Sequence, residues 1–459
     1  MSEWRDLRAT TWSMVALIFM VAFESLAVTT VMPTVSQALD GAALYAFAFA
    51  GPLATGVVGM VVAGPWSDRS GPRTPLLTAV GLFTAGILVA GSAPSMEVLV
   101  AGRLLQGFGG GAMTVALYVV VARLYPPLLH PRVFAWFAAA WVIPSLVGPA
   151  GAGAIAQHLG WRWVFLGVAL LVVPTTLVLV PALRRIGPPD APGAPALRGR
   201  LAWAGLAAAA VLGLNLAAQV PVPWSVVVAL GTGGIALVAL RAIVPTGTMR
   251  AARGLPSVIA TRALVSGAFL GAEVYLPYLL TERYAFSPTT AGVALTTAGV
   301  AWAGTSWLQG RLGERLPHRT AVAVGAVLVL VAVAGVLATA AAHLPPAVAI
   351  CSWTVAGAGM GLGYTRLTVL VLAYSSPGNQ GSNSSALSIA DSIGAALALA
   401  LTALAFTAAD RSPDAPFTAA LAVAAAFALG AALVGPRVGS GRRQAEDATD
   451  DAASSALRS

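Results

Sequence analysis

Apolar stretches long enough to cross a bilayer recur along the whole chain, near 12–36, 43–63, 74–92, 96–121, 133–157, 162–183, 201–219, 223–243, 257–281, 288–309, 320–342, 346–373, 383–408 and 415–435. A hydrocarbon core of roughly 30 Å takes about 20 helical residues to cross. Lipid offers no partners for backbone N–H and C=O groups, so a segment there satisfies them internally, as a helix. Only 9% of the residues are charged and 58% are hydrophobic, whereas a soluble domain carries about 25% charged residues. The expected fold is an all-α integral membrane protein with 14 transmembrane helices.

The runs fall into groups of six, two and six. "RRIGPPDAPGAPALRGR" (184–200) is a Pro/Gly/Arg-rich linker, and "VPVP" joins the two runs of the middle group. The expected domains are a six-helix bundle over 1–186, a linker with two inserted helices over 187–256, a second six-helix bundle over 257–436 and a disordered polar tail over 437–459. All 26 basic residues are arginine. With the N-terminus inside, about 21 arginines lie in or beside cytoplasmic segments and about three outside (Arg162, Arg283, Arg411), so both termini are expected in the cytoplasm of a cell-membrane protein.

The two outer groups are related. "GPWSDRSGPR" (64–73) aligns without gaps to "GRLGERLPHR" (310–319), pairing Gly64 with Gly310, Asp68 with Glu314, Arg69 with Arg315 and Arg73 with Arg319. Such duplicated halves build secondary transporters, with the substrate site near the midplane between them. Asp68 can latch onto an arginine or a neighbouring helix N-terminus in one conformation and release it in the other; the alternative is that the arginines only set topology.

Charges inside the apolar runs are costly and therefore informative. Glu24 interrupts "FMVAFESLAVTTVMP" (19–33), Arg103 lies in "GRLLQGFGGG" (102–111), Glu273 in "FLGAEVYLPYLL", Arg366 in "GMGLGYTRLTVLVL" and Asp391 in "ALSIADSIGAALALAL". A carboxyl held out of water can bind and release protons in the physiological range. Glu24, Asp391 and Glu273, with Arg103, are the candidate proton-coupling groups; Glu24, Glu273, Tyr275 and Arg366 are the candidate substrate contacts. A static Glu24–arginine pair and a snorkelling Arg366 are the bland alternatives. "GPAGAGAIAQHLGWRWVF" (148–165) places Gly148, Pro149 and Gly153 where they would bend a helix or admit a close neighbour.

Several of these motifs, in this order, resemble the major facilitator superfamily. Gly64-x-x-x-Asp68-Arg69-x-Gly71-x-Arg73 is similar to its loop 2–3 signature, and Arg103-Leu-Leu-Gln106-Gly107 to its helix 4 motif. Gly148 to Gly153 with Trp161-Arg162-Trp163, Glu24 nine residues before Pro33, and the six-two-six plan resemble the fourteen-helix drug:proton antiporters. The resemblance implies alternating access gated at Asp68, Arg69 and Arg73 and coupled through Glu24 and Arg103. Glu314, Arg315 and Arg319 are the matching positions of the repeat.

The function expected is proton-coupled efflux of hydrophobic or amphipathic small molecules. A lipid or envelope-precursor exporter of the same fold and an uptake symporter are the alternatives; the latter would be expected to carry more Asn, Gln and Lys in its helices. Partners are expected to be the bilayer, protons and the cargo, with a monomeric chain. No basic run with interleaved aromatics points to nucleic acid, and one cysteine and four scattered histidines make no metal site. No phosphate loop or nucleophile motif points to an enzyme. No cofactor is expected; an ion gradient is the energy source.

Overall fold

A computed structural model describes residues 7–41, 44–187, 197–217, 221, 224–286, 288–312, 315–409 and 415–439. Glu314, Arg411, most of the 184–200 linker and the tail beyond 439 lie outside the described residues.

Among the described residues there are fifteen α-helices. The first six are α1 (Arg8–Ala38), α2 (Tyr45–Ser70), α3 (Arg73–Gly91), α4 (Met96–Leu124), α5 (His130–His158) and α6 (Arg162–Leu183). Then come α7 (Leu197–Ala217) and α8 (Trp224–Ile243). The rest are α9 (Leu255–Glu273), α10 (Tyr275–Tyr284), α11 (Pro288–Leu312), α12 (His318–Ala342), α13 (Pro346–Ala373), α14 (Gln380–Ala408) and α15 (Ala415–Val434). Eleven helical segments among the described residues are long and apolar enough to cross a membrane, one of them the α9–α10 unit Leu255–Tyr284.

The ninth apolar run, expected as one helix, is interrupted at Val274. Pro277 accounts for the place: it has no N–H to donate to the Glu273 carbonyl, and its ring crowds that turn. Gly71 ends α2 with φ at +75°, a conformation that costs a side chain with Cβ and lets the chain reverse directly into α3.

The repeat extends well beyond the aligned loops. Gly107, Gly109 and Gly111 in α4 recur as Gly357, Gly359 and Gly361 in α13. A Cβ on Gly107 or Gly111 would strike the α2 backbone at Pro52 or Gly56, and one on Gly357 or Gly361 would strike α11 at Ala298 or Trp302. On the opposite face, Gly109 meets Ala79 and Phe83 of α3 and Gly359 meets Gly325 of α12. Small residues let apolar helices approach to backbone contact, where dispersion replaces the hydrophobic drive that lipid does not supply.

Apolar side chains from α1 to α6 form one core, and those of α9 to α13 and α15 form another. A third core joins α7 and α8 to Val57 and Val61 of α2 and to Ile389, Ile393 and Ala396 of α14. The two inserted helices therefore lie along the seam between the halves, against α2 and α14.

Candidate functional site

Among the described residues, two ion pairs occupy the interior, one fully buried and one with a partly exposed carboxylate. In the first half, Glu24 of α1 is 2% exposed and Arg103 of α4 is 5% exposed. The Arg103 Nη1 donates to Glu24 Oε1 at 2.5 Å and to Gln106 Oε1 at 2.9 Å, while Nε donates to the Ala48 carbonyl of α2 at 3.2 Å. Arg103 and Gln106 stand three apart on one helical face, so Gln106 gives the guanidinium a second side-chain acceptor beside the carboxylate. The planar guanidinium ties three helices together at one point, which a lysine ammonium cannot reproduce. Glu24 is thus paired with Arg103. A carboxylate so placed can still take a proton, because protonation leaves Arg103 with its Gln106 and Ala48 acceptors.

At the place in the second half that corresponds to this pair, the charges are replaced by rings. Phe269 of α9 stacks on the fully buried Trp353 of α13 with centroids 4.7 Å apart.

The second pair is Arg262 with Asp391. Arg262 Nε donates to Asp391 Oδ1 at 2.8 Å, and Nη1 donates to the Tyr364 carbonyl at 3.1 Å and to Thr368 Oγ1 at 3.0 Å. The guanidinium carbon lies 3.2 Å from the centroid of the Tyr364 ring, and the Tyr364 hydroxyl donates to Asp391 Oδ2 at 3.0 Å. Asp391 thus has a buried counter-charge that sequence reasoning missed. Arg262 stands within the ninth apolar run, where the cost of an internal charge was the available signal; its nearness to the 249–256 basic stretch disguised it as a border arginine.

At one end of the bundle the halves are latched. Asp68, fully buried at the end of α2, accepts from Gly381 N at 2.6 Å, Ser382 N at 2.8 Å and Ser382 Oγ at 2.7 Å. These are amides of the first turn of α14, which have no intrahelical acceptor and lie at the positive end of the helix dipole. Asp68 is therefore an N-cap supplied by another helix. Beside it Ser385 Oγ donates to the Met60 carbonyl at 2.7 Å, and Arg123 Nη2 to the Pro377 carbonyl at 2.9 Å. Gly64 faces Gly381 so closely that a Cβ on Gly64 would stand 2.6 Å from the Gly381 carbonyl oxygen.

Arg69 and Arg73 are exposed beside this latch. In the second copy of the motif, Gly310 approaches Pro131 and Arg132 at the start of α5, matching the Gly64–Gly381 contact. There Arg315 is exposed, and Arg319 Nε donates to the Pro436 carbonyl at 2.8 Å. The two copies share the helix crossing; Glu314, the counterpart of Asp68, lies outside the described residues.

The remaining candidates are dispersed. Glu273 is half-buried at the end of α9 and joins neither ion pair. Tyr275 is buried and stacks on Phe406 of α14 at 5.2 Å. Arg366 is 1% exposed and bonds His318 Nδ1 and the Gln309 carbonyl, each at 3.2 Å, so it braces α11, α12 and α13 and does not meet Glu24. Gly148 faces Phe23 and Leu26, on either side of Glu24 along α1, whereas a Cβ on Gly153 would meet open space. For Pro149 the description extends to its helical backbone within an unbroken α5.

A helical membrane bundle with two related halves, buried charge inside it and a capped helix across the seam defines a membrane transporter. The family model for the Major Facilitator Superfamily matches residues 14–399, and the chain belongs to that family, whose members are transporters and not enzymes. A probable multidrug-efflux transporter of Mycobacterium tuberculosis is 35% identical over 150 residues, 33% of this chain and 32% of the relative. An uncharacterized MFS-type transporter of the same organism is 33% identical over 179 residues, 38% of this chain and 30% of the relative. The chain thus spans about a third of the length of the curated relatives it matches. Among solved structures, the human organic anion transporter MFSD10 superposes with a TM-score of 0.69 at 16% identity, covering 93% of this chain and 99% of that one. A bacterial homologue of the iron transporter ferroportin, in an outward-facing state, gives 0.67 at 15% identity, with 94% and 98% covered.

Proposed function

We propose that this protein exports hydrophobic or amphipathic small molecules in exchange for protons. On this reading the chain crosses the cell membrane fourteen times, as six-helix halves over 1–186 and 257–436 with two inserted spans between them. Both termini are cytoplasmic, and the chain works as a monomer without a cofactor. The latched end is then the cytoplasmic one, and the conformation is open toward the outside.

The observation that carries the proposal is the Glu24–Arg103–Gln106 centre, buried in a half whose other interior residues are mainly apolar. A buried pair is a poor way to gain stability, since its desolvation cost offsets most of the attraction. Its use is as a switch. A proton on Glu24 cancels the carboxylate, and Arg103 then keeps only its Gln106 and Ala48 acceptors. The tie between α1 and α4 loosens, the halves rock, and the proton leaves to the cytoplasm when a substrate enters. Substrate occupancy, which favours the ionised carboxylate, restores the pair.

The apolar lining and the relative named for multidrug efflux support a lipophilic cargo. The test is proton release from acidified inverted vesicles, read by a pH dye, as lipophilic cations and neutral antibiotics are added. Dequenching in the parent and none in Glu24→Gln is the expected result. Equal responses in the two proteins would remove Glu24 from the proton path. A parent that responds to none of the compounds would move lipid export ahead.

A further inference from the structure

Of the carboxyls set deep within the apolar runs, Glu24 pairs with Arg103 and Asp391 with Arg262. Glu273 has neither an ion-pair nor a hydrogen-bond partner among the described residues. An acid within a membrane-spanning helix is costly, and one without a counter-charge in its own chain marks a place for a partner from outside it. Glu273 is partly exposed, so such a partner can reach it.

Its place on α9 decides what lies beside it. Eleven residues separate Glu273 from Arg262, three helical turns to within about 20°, so the two share a face about 17 Å apart along the axis. Phe269, four residues before Glu273, stands on the same face. Phe269 stacks on Trp353 of α13 at 4.7 Å and meets Trp302 of α11 edge-on at 5.4 Å. Trp302 in turn meets Tyr364 of α13 at 5.3 Å, and the Tyr364 hydroxyl donates to Asp391. The rings form one wall that runs from Asp391 to within a turn of Glu273. Trp302, Tyr364 and Asp391 are partly exposed, like Glu273, and the buried Phe269 and Trp353 back them.

This wall carries two donors that the fold does not use. The indole N–H groups of Trp302 and Trp353 are buried without an acceptor, although Trp353 is 0% exposed. A buried indole N–H normally finds a partner, and one that has none needs a reason. Aromatic faces, two donors and one carboxylate are therefore grouped in the second half. The carboxylate stands at the end away from the Asp68 latch, from which the interior is approached while the latch is closed.

We propose that Glu273 and this aromatic wall form the cargo site, with Glu273 selecting the cargo's charge. The rings take the apolar body of an aromatic compound, the two indole N–H groups take an oxygen acceptor on it, and Glu273 takes a cationic group. Cargo and proton are then held by different halves. They compete through charge in one interior of low dielectric, not for the same oxygen. That competition rests on the export reading given above; the place of the cation at Glu273 does not.

The experiment is equilibrium dialysis of the purified full chain against two probes of similar body. Tetraphenylphosphonium is a cation with no acceptor, and triphenylphosphine oxide is neutral with one strong acceptor oxygen. Glu273→Gln is expected to bind the cation about tenfold more weakly than the parent and to bind the oxide unchanged. Glu273→Asp is expected to restore most of the cation affinity. Trp302→Phe, which keeps a ring but loses the N–H, is expected to weaken the oxide about fivefold and the cation less.

Equal cation affinity in Glu273→Gln and the parent overturns the assignment. A loss shared by both probes also overturns it, because the substitution would then act on packing and not on charge. Loss of the cation in Glu24→Gln but not in Glu273→Gln would put the cargo charge in the first half, leaving the export reading standing without Glu273. A parent that binds neither probe overturns the site. Conversely, Glu273-dependent binding with a Glu24→Gln protein that still moves protons in vesicles keeps the cargo site and removes Glu24 from the proton path.

Discussion

Asp68→Asn tests the latch with almost no change of shape. The carboxylate accepts from two α14 amides and one hydroxyl at 2.6–2.8 Å. An asparagine keeps one carbonyl oxygen and sets its NH₂ against a backbone N–H, so at least one donor of the first turn loses its acceptor. Hydrogen bonds to a charged acceptor contribute about 1.5–3 kcal/mol each, and an anion at a helix N-terminus adds up to about 2 kcal/mol when partly buried. Water regained by both groups in the open state offsets part of this, leaving a net loss of about 3 kcal/mol, or about 150-fold in the latched-to-open ratio. Spin labels on cysteines at Ser70 and Ser376 report it: both positions are exposed and lie on opposite sides of the seam at the same end. With Cys351 replaced, pulsed dipolar spectroscopy is expected to give mainly a short distance in the parent and mainly a longer one in Asp68→Asn. Superimposable distance distributions would refute the claim that Asp68 holds the two halves together.

Other substitutions separate the remaining elements. Arg103→Met leaves Glu24 buried without its counter-ion, at a cost of about 3–5 kcal/mol; thermal unfolding in detergent should show a clear drop in Tm, and an unchanged Tm would mean that the pair contributes nothing. Gly357→Ala drives a Cβ into the Ala298 backbone, and overpacking costs about 1–3 kcal/mol, whereas Gly153→Ala meets open space and should gain about 0.5–1 kcal/mol of helix propensity. The same melting curves read both, and the reverse order would contradict the close-packing account. Arg366→Gln should lower Tm by loosening α11, α12 and α13 while leaving the compound specificity of dye dequenching unchanged; a changed specificity would return Arg366 to the substrate site.

Much of this architecture is legible in the amino-acid sequence. Hydropathy and arginine placement define the apolar runs, and the aligned 64–73 and 310–319 loops define the repeat, because each rests on local chemistry. For Asp68 the sequence leaves an arginine or a neighbouring helix N-terminus as the partner, and only the packing of α2 against α14 selects the second. Glu24 and Arg103 are each conspicuous by cost, and their pairing needs only α1 and α4 to be neighbours.

Long-range choice of partner is not legible in the same way. Arg262 is written no differently from the arginines that border apolar runs, and only the packing of α9 on α14 turns it toward Asp391. Replacement of a charged pair by Phe269 and Trp353 in the second half is invisible without the register of the repeat. The glycine triplets carry that register, because identical spacing in α4 and α13 reflects identical backbone crossings. The break at Val274 is foreshadowed by Pro277, yet Pro33 lies inside an unbroken α1, so proline alone does not decide it.

The most direct test of the central claim is proton release by purified protein in weakly buffered solution when it binds the compound that dequenches best in vesicles. If Glu24 exchanges its proton for substrate, the parent acidifies the solution in proportion to the compound bound, and Glu24→Gln binds without acidification. Equal acidification by the two proteins, or binding by the parent with no proton released, would contradict Glu24 as the site where substrate and proton compete.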